Sequence, residues 1–178
     1  MNHITLKDKV FEKFISKEEI EKITSKIAQE INSGGARNLL FLAVMNGSFL
    51  FAADIMRKIT LTDTEISFIK LSSYSGTEST GKVSELIGVN RDISERDVVV
   101  LEDIIDTGNT LEKIIAILKE KNVSSIQIAT LLFKPEAYTK KEEIHYIGKE
   151  IPNDFVVGYG LDYDEIGRNL PHIYKLKE

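Results

Sequence analysis

The sequence predicts an α/β fold: a mostly parallel, twisted sheet covered by helices on both faces. Three observations carry that expectation. Runs that are apolar at every position, too short for helices, suit strands buried on both faces. They alternate with segments of helical period, the order expected of strand–helix–strand units. One of the most apolar runs ends on acids and a glycine turn, and such loops line the ligand crevice beyond the strand carboxyl ends.

The first clear helix starts at Ser16, where S-K-E-E offers a capping box of Ser16 with Glu19. Ile20, Ile23, Ile27 and Ile31 share one face, and Gly34-Gly35 end the helix. NLLFLAV (38–44) reads as a buried strand, Met45-Asn46-Gly47 as a turn and SFLFAADIMRKI as the next helix. EISFIKL (65–71) is a second strand, and SSYSGTESTGK (72–82) has no period. DVVVLE (97–102) is a third strand, and TLEKIIAILKEKN a helix with Leu111, Ile114, Ile115 and Leu118 on one face. SSIQIATLLFK (124–134) is a fourth strand, 135–153 shows no regular period, and DFVVGYGL (154–161) returns to strand character. HIYKLKE at the end is short and β-like.

The length of 178 residues suits one domain, able to bury roughly 70% of its unfolded surface without disulfides. There are no cysteines, which excludes a thiol nucleophile and a cysteine-based zinc site and agrees with a cytoplasmic setting. No apolar run is long enough for a bilayer span, and MNHITLKDKV has no secretory core, so no membrane partner is expected. The net charge of -5 and pI of about 5.4 argue against nucleic acid. His3, His145 and His172 show no metal-ligand spacing and read as surface or packing residues.

The chemistry is concentrated in VVVLEDIIDTGNTL (98–111). Glu102 and Asp103 follow the buried valines where the strand is expected to leave the core. Adjacent carboxylates repel unless solvated or neutralised, and a divalent cation or sugar hydroxyls would relieve them. Asp106-Thr107-Gly108-Asn109-Thr110 follows at the mouth of a helix: Gly108 permits a tight turn, the threonines supply hydroxyls, and successive N–H groups make an anion site. Acidic groups beside a phosphate cradle suit a phosphorylated sugar bound with Mg²⁺. Neither G-x-x-x-x-G-K-[ST] nor G-x-G-x-x-G occurs in the chain.

VVVLEDIIDTGNT resembles the phosphoribosyl-diphosphate signature of the type I phosphoribosyltransferases. The resemblance extends to the hypoxanthine (hypoxanthine-guanine) phosphoribosyltransferases through AVMNGSFLFAADI (43–55), LSSYSG (71–76), LLFKP (131–135) and FVVGYGLDYDEIGRNLPHI (155–173). It covers the chain from about residue 38 onward. It implies one phosphoribosyltransferase domain over 1–178 with a small hood formed by about 150–178, and a flexible lid at about 72–82. It also implies purine salvage with Mg²⁺, in which the phosphoribosyl group of phosphoribosyl diphosphate passes to hypoxanthine or guanine. Small molecules are the expected partners, and the assembly a homodimer or homotetramer.

By that resemblance Glu102 and Asp103 meet the ribose hydroxyls and the metal, and residues Asp106, Thr107, Gly108, Asn109 and Thr110 hold the 5′-phosphate. Asp106 matches the general base for the purine N7 proton, and Asn109 occupies a variable position. Asn46 and Gly47 match the diphosphate loop, with a cis peptide between Met45 and Asn46; Ser73, Tyr74 and Arg168 also meet diphosphate. Lys134 matches the donor to the 6-oxo group, Phe155 the stacking ring and Val156 the backbone contact to the base. Asp162 matches a carboxylate at the purine end that also serves a second magnesium site. Two other readings share the fold: a nucleotide-sensing regulator, which should have a basic face, and a transferase preferring xanthine or another base, which fine contacts would decide.

Overall fold

The computed structural model describes residues 2–72, 84–89 and 91–177. The main sheet has six strands: β3 (Leu39–Val44), β4 (Thr64–Ser72), β5 (Ser84–Ile87), β6 (Asp97–Ile105), β7 (Ser125–Phe133) and β8 (Tyr146–Glu150). Their order is β5-β4-β3-β6-β7-β8; all neighbours are parallel except the antiparallel edge pair β4–β5. The chain runs from β3 outward to β4 and later from β6 outward to β7 and β8, so the topological switch lies between β3 and β6. A ligand crevice opens beyond the carboxyl ends at such a point.

Helices α1 (Lys17–Ser33) and α2 (Phe49–Met56) cover one face, where Ile20, Ile27, Ile31, Phe51 and Ile55 pack on Phe41, Val99 and Leu101. Helix α3 (Asn109–Glu120) covers the other, bringing Leu111, Ile114, Ile115 and Leu118 onto Leu40, Leu42, Val98 and Val100. Leu39 through Ala43 are fully buried, which is why β3 reads as uninterrupted apolar sequence. A smaller antiparallel sheet, β1-β2-β10-β9, combines β1 (His3–Leu6), β2 (Lys9–Ile15), β9 (Val156–Val157) and β10 (Ile173–Leu176). Phe11, Val157 and Tyr174 form its own core.

Several sequence expectations are corrected. The hood is not made by the C-terminal segment alone: the N-terminal hairpin supplies two of its four strands. Its lysines and glutamates hid a pattern in which only Phe11 and Ile15 are fully buried. Residues 154–161 are a strand only at Val156–Val157, because Gly158, Tyr159 and Gly160 have φ of 98°, 50° and 99°, a left-handed run no strand accepts. Residues 135–153 contain β8, a half-buried strand of five residues that gives little periodic signal. The capping box is half formed: Ser16 Oγ accepts the Glu19 N–H at 3.2 Å, but the Glu19 carboxylate is taken by Lys149 Nζ at 2.6 Å. Ser73, Tyr74 and most of the 72–82 lid segment lie outside the described residues.

Asp97 ties three segments together at the amino end of β6. Its Oδ2 accepts the Arg37 N–H at 3.0 Å and its Oδ1 the Ser125 hydroxyl at 2.6 Å, and these bonds, Ser125 first, hold its carboxyl below the usual carboxylate range. A depressed value means the stabilisation is complete above the unfolded chain's pKa of about 3.9 and fades as pH falls through the lower folded value. Asp97→Asn should therefore cost about 1 kcal/mol at pH 7 by denaturant unfolding, and the gap to the parent protein should narrow below about pH 3.

Candidate active site

The loops at the carboxyl ends of β3, β6 and β7 converge on the crevice. Contrary to expectation, β6 does not end at Glu102: it continues to Ile105, and Glu102 and Asp103 are strand residues. Glu102 lines a cavity of roughly 100 Å³ together with Ile104, Ile105 and residues 106–111. The Asp103 carboxylate instead lies against Gly47 at the mouth of α2. Strand geometry thus sends the neighbouring acids to different parts of the site. Both are costly to ionise. Glu102 Oε2 is buried with no hydrogen-bond partner among the described residues, and burial, reinforced by Asp103, pushes its carboxyl well above the usual range. Burial also raises Asp103, to about 6, against the opposing pull of nearby backbone N–H groups and Arg168.

The turn after β6 forms as the glycine predicted. Gly108 has φ of 82°, precedes α3 and accepts the Glu112 N–H at 3.0 Å. Beneath it lie the Tyr138 ring and the Lys140 stem, which any side chain at 108 would strike. Thr139 buttresses the turn from its backbone N–H and its hydroxyl, which donate to the Thr107 carbonyl at 3.4 and 3.3 Å. The aperiodic stretch after β7 therefore supports the cradle. Thr107 and Thr110, with the N–H groups of the first turn of α3, face the cavity that Glu102 closes.

Lys134 follows β7 directly and is only 7% exposed; its Nζ lies 3.2 Å from Asp106 Oδ2. Just after β3 the peptide between Met45 and Asn46 is cis, as the resemblance implies. Asn46 Oδ1 accepts from Lys70 Nζ at 3.2 Å, and the Met45 N–H donates to the Ile69 carbonyl at 2.8 Å. Any side chain at Gly47 would overlap the Asp103 carboxylate, and any side chain at Gly160 would overlap the Gly47 carbonyl. That contact brings the 158–170 loop onto the mouth of α2. Arg168 donates to the Gly160 carbonyl at 2.8 Å and pairs with Asp162 Oδ1 at 2.8 Å, while Asp162 Oδ2 accepts the Glu165 N–H at 2.7 Å.

Phe155 and Val156 stand on the open edge of the hood. Phe155 is 45% exposed and meets Phe11 and Tyr163, ring centroids 6.3 and 6.0 Å apart. The Leu176 N–H donates to the Phe155 carbonyl, so by antiparallel alternation Val156, one residue on, turns its N–H and C=O away from β10. Among the described residues β9 has no strand neighbour on that side, which leaves those groups open to a ligand edge.

A family model described as the phosphoribosyl transferase domain matches residues 14–164. The chain belongs to that family. The hypoxanthine-guanine phosphoribosyltransferase of Staphylococcus epidermidis is 43% identical over 165 residues, 92% of each chain. A crystal structure of a hypoxanthine phosphoribosyltransferase from Staphylococcus aureus superposes with a TM-score of 0.86 at 39% identity, covering 93% of this chain and 91% of that one. A hypoxanthine-guanine phosphoribosyltransferase from Bacillus anthracis gives 0.84 at 37% identity, covering 94% and 97%.

Sequence patterns missed part of this phosphoribosyltransferase site. Lys70 is an alternating polar residue on β4, and only the fold carries it to Asn46. Tyr163 and Asp8 share a 2.8 Å hydrogen bond across 155 residues, beyond any local pattern. Gly160 and Tyr159 had a visible signal, the G-Y-G triplet inside an apparent strand. Among the described residues no three histidine or acidic side chains gather as a metal-binding group, so Glu102, Asp103 and Asp162 do not form one cluster.

Gly47→Ala must move either Asp103 or the loop. Displacements near 1 Å cost about 100-fold in rate, so kcat/KM for phosphoribosyl transfer should fall by at least that factor with unchanged far-ultraviolet circular dichroism.

Proposed function

We propose that this protein is a purine-salvage phosphoribosyltransferase that joins hypoxanthine, and guanine, to the phosphoribosyl group of phosphoribosyl diphosphate. The products are the nucleoside 5′-monophosphate and diphosphate. The relatives named above support the reading, and the observation that carries the base specificity is the Lys134–Asp106 pair at 3.2 Å. A 6-oxopurine protonated on N7 presents an acceptor and a donor side by side. Its O6 suits the Lys134 ammonium and its N7–H the Asp106 carboxylate. Adenine would bring an amino group against the ammonium, leaving donor facing donor, and unpaired buried groups are what makes such selection strong.

In the reaction N9 of the purine forms a bond to the sugar carbon as the bond to the diphosphate oxygen breaks, and the electron pair leaves with diphosphate. The base becomes more acidic as positive charge accumulates on it, and Asp106 then takes the N7 proton. Thr107, Thr110 and the N–H groups of residues 106–110 hold the 5′-phosphate, with Asn109 contributing its backbone. Asn46, Gly47 and Arg168 hold the diphosphate; Phe155 stacks on the base and Val156 offers its free backbone groups to the base edge.

The donor set fits Mg²⁺. Glu102 carries an unpartnered buried oxygen that needs a hydroxyl donor or a cation, and Asp103 is likewise raised by burial. Glu102 would meet the ribose hydroxyls and the ion from the side of the 106–110 turn, and Asp103 from the side of Gly47. Asp162 would take a second ion with a lone pair left over from Arg168 and Glu165. Carboxylates this dispersed suit an ion that draws its remaining ligands from substrate oxygens and water. Bound with the sugar diphosphate, the ion would neutralise charge on the leaving group. The assembly follows the family as a homodimer or homotetramer in the cytoplasm, checked by light scattering; among the described residues no helix is long and apolar enough to cross a membrane. A nucleotide-sensing regulator finds no support in the acidic composition.

Hypoxanthine, guanine, xanthine and adenine assayed with phosphoribosyl diphosphate test the reading: the first two should be consumed, and turnover should stop with a chelator and return with Mg²⁺. Asp106→Asn should lower kcat by about 10²–10⁴-fold with little change in KM for the ribosyl donor. Lys134→Ala should selectively impair the 6-oxopurines; equal loss of affinity for both substrates would indicate a structural part instead.

A further inference from the structure

We infer that Tyr159, tethered to Asp54 on α2, is a positioning residue that sets the diphosphate-binding end of the site. The inference rests on the phosphoribosyltransferase reading and goes beyond it. Tyr159 lies between Gly158 and Gly160, all three with positive φ. A left-handed backbone is strained for tyrosine and not for glycine, so the side chain is kept here for what it contacts. Tyr159 is 7% exposed, and its hydroxyl donates to Asp54 Oδ2 at 2.6 Å. Asp54 Oδ1 is held by Arg57 at 3.1 Å, which orients the carboxylate toward the hydroxyl. Burial, together with Asp54, raises the Tyr159 hydroxyl far above its ordinary range, so it remains a donor.

The neighbours of Tyr159 are what this tether moves. Its N–H donates to the Leu170 carbonyl at 2.8 Å, and the Gly160 N–H to the Arg168 carbonyl at 2.9 Å. One residue beyond the tether, Gly160 rests on the Gly47 carbonyl and accepts the Arg168 guanidinium. At the other end Asp54 sits in α2, whose first turn begins directly after Gly47 and Ser48. The two diphosphate-binding segments, 45–48 and 158–168, are thus joined twice: by the glycine contact inside the site and by the Tyr159–Asp54 bond behind it. The glycine contact has no side chain and cannot fix an angle by itself. The tyrosine bond fixes the angle at which the hood loop presents Arg168 to the Asn46–Gly47 turn. Val156 on β9, Phe155 just before it and Lys134 just past β7 make none of these bonds.

The test is steady-state kinetics of Tyr159→Phe, Asp54→Ala and their double variant, in both directions, alongside thermal unfolding. Tyr159→Phe keeps the ring and loses only the hydroxyl's contacts with α2, the short bond to Asp54 and the longer one to the Leu50 carbonyl at 3.5 Å. It should raise KM for phosphoribosyl diphosphate, and for diphosphate in the reverse direction, by about tenfold, the scale of one charge-assisted hydrogen bond partly transmitted. KM for hypoxanthine should stay within about twofold. Asp54→Ala should reproduce this pattern, the double variant should add nothing further because both remove one tether, and Asp54→Asn, which keeps an acceptor, should recover most of the loss. An unchanged KM for the ribosyl donor, or equal increases for donor and purine, would overturn the positioning role while leaving the transferase reading intact. A parent protein inactive with all four purine bases would instead overturn the reading on which the inference stands. Should Tyr159→Phe fail to fold, the Asp54 variants carry the same split, since the Asp54 side chain is partly exposed.

Discussion

The site depends on backbone meeting backbone without intervening side chains. Gly160 lies on the carbonyl of Gly47, and Gly47 lies on the carboxylate of Asp103, so hood, strand-end turn and sheet are stacked through two glycines. A single methyl at either position would occupy space held by another main chain or by a carboxylate. Close packing of this kind transmits displacement with little loss, because interiors have no slack to absorb it. Arg168, Asp162 and the Asn46–Gly47 turn are therefore held close together by a contact that contains no functional group.

The electrostatics run against stability in the same place. Two carboxylates, Glu102 buried and Asp103 half-buried, lie toward the carboxyl end of β6, and one Glu102 oxygen has no partner among the described residues. A buried ionised acid without compensation is expensive, and nearby groups relieve it incompletely: Arg168 acts on Asp103, while burial dominates Glu102. Such an arrangement is complementary to a ligand that brings hydroxyl donors and positive charge, and it leaves the empty site less stable than the filled one. Lys134 and Asp106 differ from these acids because each already has a partner in the other. On the proposed reading, a purine edge would replace that pair with two hydrogen bonds of the same polarity and leave neither charge unsatisfied.

The readability of the chain followed the locality of its forces. Helices α1 and α3 were legible because their caps and apolar faces repeat within a few residues, and β3 because Leu39–Val44 is buried on both sides. The turn at 106–110 was legible because a left-handed glycine before a helix carries its own signal. The N-terminal hairpin and β8 were not, since they are half-exposed strands whose partners lie far along the chain. The stretch 154–161 misled because its apolar residues suggest a strand, whereas its three positive φ angles arise from contacts with Leu170, Gly47 and Asp54.

By itself, the order of residues determined the fold class, the phosphate turn with its acids and the family that the chain resembles, all of which rest on short-range periodicity and backbone preference. Tertiary structure alone decided that Glu102 and Asp103 serve different parts of the crevice, that Lys134 lies on Asp106 and that Tyr159 anchors the hood to α2. Each of these depends on a strand's two-residue alternation or on segments 28 to 105 residues apart meeting at one sheet edge. Short-range preference selects the elements; only their packing selects which side chains meet.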